Sequence, residues 1–160
     1  MGPAGQSGGS GIGKHAMFRQ MRAVLGRWLG PRAADKPLGA RGEEAAARYL
    51  KRLGYRIVAR SDRLKPGELD LVAIDRDTVV FVEVKTRQSA EAGHPSEAVN
   101  AAKQRRLTRA AVTFLKCHGL LESPARFDVV AVTWPAGQRH PTIEHIPNAF
   151  DAAGRWEFYS

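Results

Sequence analysis

Asp70, Glu83 and Lys85 carry the sharpest chemical signal in this chain of 160 residues. They stand on two segments, Leu69 to Ile74 and Thr78 to Lys85, that read as strands joined by a tight turn through Asp75, Arg76 and Asp77. With the turn centred on Arg76 and Asp77, Ile74 pairs with Val79, Val72 with Phe81, Asp70 with Glu83 and Glu68 with Lys85. Most of these partners are apolar, so Asp70 and Glu83 are expected on a covered face. Two carboxylates facing each other there repel and lose hydration, which a fold tolerates only when something positive sits between them. A hard divalent cation such as magnesium suits oxygen ligands of this kind, often one or two carboxylates completed by water and substrate phosphate. Lys85 returns to the same face one strand repeat from Glu83, roughly 7 Å along the chain. Its ammonium is placed to orient a water or to stabilise a charged phosphoryl transition state. The bland alternative is a structural ion pair at a sheet edge, Asp70 or Glu83 with Lys85.

Other residues bear on the same place. Gly42 to Leu53 reads as a helix with Ala46, Tyr49, Leu50 and Leu53 on one face, closed by Gly54 as a left-handed cap. Glu43 falls close to that apolar face and can look toward the sheet, whereas Glu44 should meet solvent. A long helix from about Ser96 to Cys117, closed by Gly119, buries a stripe of Leu107, Ala110, Ala111, Phe114 and Leu115. Extending the stripe backward reaches Asn100, Lys103 and Gln104. Polar residues at the start of a buried stripe suggest a wet cleft, although helix-end solvation accounts for Asn100. Arg60, Arg63, Lys65 and Arg87 flank the acidic residues in sequence and could grip a nucleic-acid backbone without specifying base sequence. Arg105, Arg109 and Lys116 share the opposite side of the long helix and read as a solvated basic face. The five histidines show no tight metal-ligand spacing. Cys117 reads as packing or incidental rather than as a nucleophile, and Trp134 and Trp156 as packing rather than as stacking platforms.

The elements that must position these residues run in the order helix, three strands, helix, two strands. Arg56 to Arg60 supplies the first strand, and Phe127 to Thr133 and Thr142 to Ile146 the last two. This is an α/β fold, a mixed central sheet flanked by helices. At 43% hydrophobic and 26% charged residues the chain is neither disordered nor fibrous. No stretch approaches the ~18 consecutive apolar residues of a membrane helix. One cysteine excludes an internal disulfide and a cysteine-based metal site, and a reducing cytoplasm is expected. The net charge of +9 makes a polyanion the first partner to consider. Residues 1–34 carry Lys14, Arg19, Arg22, Arg27 and Arg32 and no acid, which leaves the rest only mildly basic. Residues 1–37 are expected to form a flexible glycine-rich leader and a basic amphipathic helix from Met17 to Leu29. Residues 38–151 form the compact domain, and 152–160 a tail.

Gly42-Glu43, Gly67-Glu68-Leu69-Asp70, Phe81-Val82-Glu83-Val84-Lys85-Thr86-Arg87, Lys103-Gln104 and Arg126-Phe127-Asp128 occur in this order. Together they closely resemble the YraN family of small bacterial proteins, predicted endonucleases whose domain is similar to archaeal Holliday junction resolvases. The resemblance covers about residues 38 to 151, and Asp70 with Glu83-Val84-Lys85 is also the pattern of the PD-(D/E)XK nuclease superfamily. It implies a restriction-endonuclease-like αβββαβ core. It further implies that Asp70, Glu83 and the Val84 carbonyl hold magnesium or manganese, that Lys85 assists the attacking water and that Glu43 completes the acidic site. Gln104 resembles the helix residue that supports the site in related nucleases. Relatives usually carry asparagine where this chain has Ser61, so no amide is available there.

The expectation is therefore a metal-dependent endonuclease that hydrolyses DNA phosphodiesters by attack of metal-bound water and prefers branched or single-stranded DNA. The site residues are Glu43, Asp70, Glu83, Lys85 and Gln104, with Arg60, Arg63, Lys65, Arg87 and Lys103 on the nucleic acid. The partner is DNA, with no small-molecule cofactor. A homodimer is open by analogy with resolvases, which cut two symmetric strands. The alternative is a DNA-binding protein of the same fold with a vestigial site. A third reading makes the Met17 to Leu29 helix a dimerisation or membrane-surface element.

Overall fold

A computed structural model describes residues 36–61, 69–89 and 99–153. The expected leader and basic helix, the tail beyond Ala153, and Arg63 and Lys65 lie outside the described residues. The elements are α1 (Leu38–Arg52), β1 (Arg56–Arg60), β2 (Leu71–Asp75), β3 (Thr78–Arg87), α2 (Ala101–Cys117), β4 (Ala125–Thr133) and β5 (Thr142–Phe150). The five strands form one sheet in sequence order, antiparallel except for the parallel pair β3 and β4. The β3–β4 connection contains α2, as a parallel pair requires a crossover. The α/β class and the order of elements are as the sequence led us to expect.

Alternate residues of the inner strands feed two cores. Val72 and Ile74 of β2, Val79 and Phe81 of β3, and Phe127 and Val129 of β4 pack with Leu107, Ala111, Phe114 and Leu115 of α2. Leu71, Ala73, Val80, Val82, Val130 and Val132 meet Ala45, Ala46, Ala47 and Leu50 of α1 on the other side. With both faces covered, these strands read as near-continuous apolar runs rather than as an alternation. The stacked rings of Phe127 and Phe150 and the edge contact of Phe81 with Phe114 fill the α2 side.

Several element ends differ from the expected ones, each for a local reason. α1 starts at Leu38 instead of Gly42, because Pro37 takes the N-cap position and its carbonyl accepts from the Arg41 amide at 3.0 Å. A proline costs nothing at a helix start, where its missing N–H has no partner to lose. α2 starts at Ala101 instead of near Ser96. Asn100 is its N-cap, accepting from the Lys103 amide at 2.9 Å, and it is exposed, so it meets solvent at the helix end as expected and caps the helix as well. β5 runs on to Phe150 because the ladder with β4 resumes beyond an irregularity between Phe127 and Val129. β2 begins at Leu71, so Asp70 stands just before the strand rather than within it.

Candidate metal and nucleic-acid site

The hairpin sets the geometry. β2 and β3 pair Leu71 with Val82, Val72 with Phe81, Ala73 with Val80 and Ile74 with Val79, the register the turn residues imply. Arg76 adopts a left-handed φ of 54°, which a two-residue hairpin turn needs. The next step along this register sets Asp70 opposite Glu83, on the side that Val72 and Phe81 share with α2. Here the ladder gives way to side chains. Asp70 Oδ2 accepts the Val84 amide at 2.8 Å, taking the place of the rung that β2 no longer supplies. The Asp70 carbonyl accepts from the Ser61 amide at 2.9 Å, which ties the end of β1 to the same point.

Glu83 is 4% exposed, and its Oε1 receives two ammonium groups, Lys85 Nζ at 2.9 Å and Lys103 Nζ at 2.8 Å. Lys85 comes from the same strand and Lys103 from the first turn of α2. Burial, and then the charge of Glu83, push the Asp70 carboxyl up to about 6; the Val84 amide and Lys103 oppose the rise, and Glu43 adds to it. Asp70 therefore senses both Glu83 and Glu43 as like charges. Glu43 reaches this rim from α1, where Ser61 Oγ donates to its Oε2 at 2.5 Å. The hydroxyl of Ser61 thus ties the end of β1 to the acidic rim. α1 comes this close because residue 42 is glycine: a Cβ there would stand 1.8 Å from Thr86 Oγ1.

Gln104 Nε2 donates to the Val99 carbonyl at 2.9 Å and so braces the chain entering α2. Arg60 and Arg87 are half-buried on β1 and β3, and the Arg87 carbonyl accepts from the Trp134 amide at 2.7 Å. Trp134 packs against the α1 core with Arg41 over its ring at 4.2 Å, which agrees with a packing role. Lys103, expected on nucleic acid, is turned inward onto Glu83 instead.

Among the described residues, no three His, Cys, Asp or Glu side chains group closely enough to hold an ion by themselves. The donors present nevertheless suit magnesium or manganese, which need few protein ligands when water and phosphate complete the shell. Asp70 and Glu83 are oxygen donors, the charge of Glu83 adds to the rise of the Asp70 carboxyl, and Asp70 Oδ2 engages the Val84 amide. In an extended strand the carbonyl of a residue leaves by the same edge as its amide, so Val84 offers its oxygen toward Asp70.

A second polar cluster escaped the sequence reading. Asp128 is fully buried in β4, with Oδ1 accepting from Arg126 Nε and the Asn148 amide, both at 2.9 Å, and Oδ2 meeting His145 Nε2 at 2.9 Å. Arg126 continues to the Tyr55 hydroxyl at 2.8 Å and Asp75 Oδ2 at 3.0 Å. Burial raises the Asp128 carboxyl, but the His145, Arg126 and Asn148 hydrogen bonds outweigh it and hold the group below its ordinary value. Every oxygen is satisfied, and the cluster clamps β5 where its pairing with β4 shifts. Its signal in the sequence was an acid inside the apolar run Phe127 to Val132, with Arg126 two residues away.

A three-layer α/β protein with an acidic pair and a lysine at one rim of its sheet is the class that this fold and site define. The chain belongs to uncharacterised protein family UPF0102, the YraN family, whose profile matches residues 42–132. UPF0102 proteins of Geobacter sulfurreducens and Geobacter metallireducens are 51% and 50% identical to it over 119 residues, 74% of this chain and 92% and 96% of theirs. A UPF0102 protein of Rhodopirellula baltica is 47% identical over 125 residues, 76% of this chain and 75% of its own.

Proposed function

We propose that this chain is a metal-dependent endonuclease of the cytoplasm that hydrolyses DNA phosphodiesters, with a preference for branched or single-stranded DNA. The observation that carries the reading is the meeting of Asp70, Glu83 and Lys85 on one side of the β2–β3 hairpin, with Glu43 brought to them by α1. Asp70 and Glu83, with the Val84 carbonyl, would hold magnesium or manganese. The ion supplies Lewis-acid polarisation of the scissile phosphate. Lys85 offers an ammonium to a phosphate oxygen or to the attacking water, next to the acids rather than among them. Glu43 adds negative charge that favours a cation at the rim, and Ser61 fixes its carboxylate. Gln104 holds the start of α2 in place through Val99. Arg60 and Arg87, with Arg63 and Lys65, supply sequence-independent phosphate contacts, and Lys103 can join them only on leaving Glu83.

The test is a cleavage panel of junction, flap, single-stranded and duplex DNA with magnesium or manganese. Cutting of the unusual structures is expected, with loss by more than about a hundredfold in Asp70→Ala and Glu83→Ala. Cutting that survives both substitutions rules the reading out. One observation favours a second reading, a DNA-structure-binding protein without turnover: Glu83 is already neutralised by two lysines. Titration with manganese separates the two, since a vestigial site would take up no ion and gain no thermal stability from it.

A further inference from the structure

Lys103 is an odd residue for its place. It is the third residue of α2 after the Asn100 cap, in the turn where the positive end of the helix dipole disfavours a cation. The helix gains nothing from its charge. Its ammonium lies 2.8 Å from Glu83 Oε1, an oxygen already paired with Lys85 Nζ at 2.9 Å. One nearly buried carboxylate oxygen is thus shared by two ammonium groups from two elements.

The two lysines differ in freedom. Lys85 is fixed two residues from Glu83 on the same strand, so its reach is set by the pleat. Lys103 arrives from α2 on a long stem, and its side chain is 24% exposed. Such a side chain can keep its methylenes on the protein while its head moves into water. A divalent ion that took Glu83 Oε1 as a ligand would meet both ammonium groups, and one carboxylate oxygen cannot serve all three.

We propose that Lys103 is a positioning residue that fills the cation place on Glu83 when the protein is metal-free, gives way when a divalent ion binds, and then contacts a DNA phosphate. The proposal rests on the nuclease reading of the same site and adds a resident competitor for the metal. Metal uptake is weakened by the ammonium that must be displaced, and the displaced charge becomes available only once the ion is in place. DNA affinity and metal occupancy are therefore linked through one side chain.

Calorimetric titration of the full chain with manganese alone tests this. Lys103→Met is expected to bind manganese about tenfold more tightly than the wild type, because a competing unit charge a few ångströms away is gone. Lys116→Met removes the same charge from the exposed last turn of α2 and should leave the affinity unchanged. Glu83→Gln should abolish uptake. In calcium, which is expected to fill the site without supporting cutting, Lys103→Met should lower the slope of log affinity for DNA against log salt by about one. Manganese affinity in Lys103→Met equal to or weaker than the wild type overturns the proposal, even if its thermal stability falls. A wild type that takes up manganese and cuts DNA beside such a Lys103→Met result overturns this inference alone. A wild type that takes up no manganese overturns the nuclease reading with it.

Discussion

Asp70 is held in a conflict that its neighbours only partly resolve. It accepts the Val84 amide, yet burial and the Glu83 charge raise its carboxyl from an ordinary 3.8 to about 6. Between those two values the folded chain keeps a proton that the unfolded chain has released, so stability falls as pH rises through this window and stays lowered above it. The penalty is of the order of 2–3 kcal/mol for a shift of this size. Asp70→Asn keeps an acceptor for Val84 and removes the charge. In the metal-free protein it should be more stable than the wild type by about 1–3 kcal/mol at pH 7.5, with little difference at pH 4. Urea unfolding of both proteins at the two pH values checks this, and parallel curves would count against it. Asp128 has the opposite sign: its carboxyl is lowered, so its contribution is present above 3.8 and is lost as pH falls through the depressed value. Asp128→Ala leaves Arg126, His145 and the Asn148 amide facing an empty place, and should cost about 3–5 kcal/mol at neutral pH.

Two elements bring the acids together, and their contacts were legible to different degrees. The β2–β3 register followed from the turn alone, because a two-residue turn fixes every opposed pair and the apolar partners fix the face. The inward side of Glu43 followed from helical periodicity, but its hydrogen bond to Ser61, eighteen residues on, did not: that contact depends on where β1 ends. Still less visible was the Asp128 cluster, whose members Tyr55, Asp75, Arg126, His145 and Asn148 come from separate segments with no shared period. The Lys103–Glu83 pair was hidden for the same reason, since a helix face shows its own residues and not the strand it covers. Gly42 joins α1 to this region. Alanine is the better helix former by roughly 1 kcal/mol, yet its Cβ would lie 1.8 Å from Thr86 Oγ1 and 2.8 Å from Thr86 Cβ. Rotating the threonine cannot move its own Cβ, so α1 must lift from β3 and carry Glu43 with it. Gly42→Ala should destabilise by about 1–3 kcal/mol in thermal or urea unfolding, and Thr86→Ala should recover part of that loss.

Over the whole molecule, charge and chemistry are separated. The net charge is +9, and residues 1–34 contribute five of the cations without an acid, whereas the proposed site draws on residues between Glu43 and Gln104. The Geobacter sulfurreducens relative is matched over 92% of its length by 74% of this chain, so about a quarter of this chain lies outside what the two share. Cutting should therefore not require residues 1–34, while affinity for a polyanion should. Every phosphate neutralised by a lysine or arginine releases counterions and steepens the loss of affinity with salt, by about 0.9 in the log–log slope for duplex DNA. Removing residues 1–34 is expected to lower that slope, by at most about 4–5 if all five cations reach phosphates, and to weaken binding most at low salt. Manganese uptake and cleavage at saturating DNA should stay within about threefold of the full chain, because the acids, Lys85 and Lys103 are untouched. Binding measured in calcium from 50 to 200 mM salt, beside cleavage in manganese, separates the two contributions. A shortened chain that binds with the same slope would leave the phosphate contacts to the compact domain alone, and one that binds manganese but no longer cuts would bring the basic segment into the reaction itself.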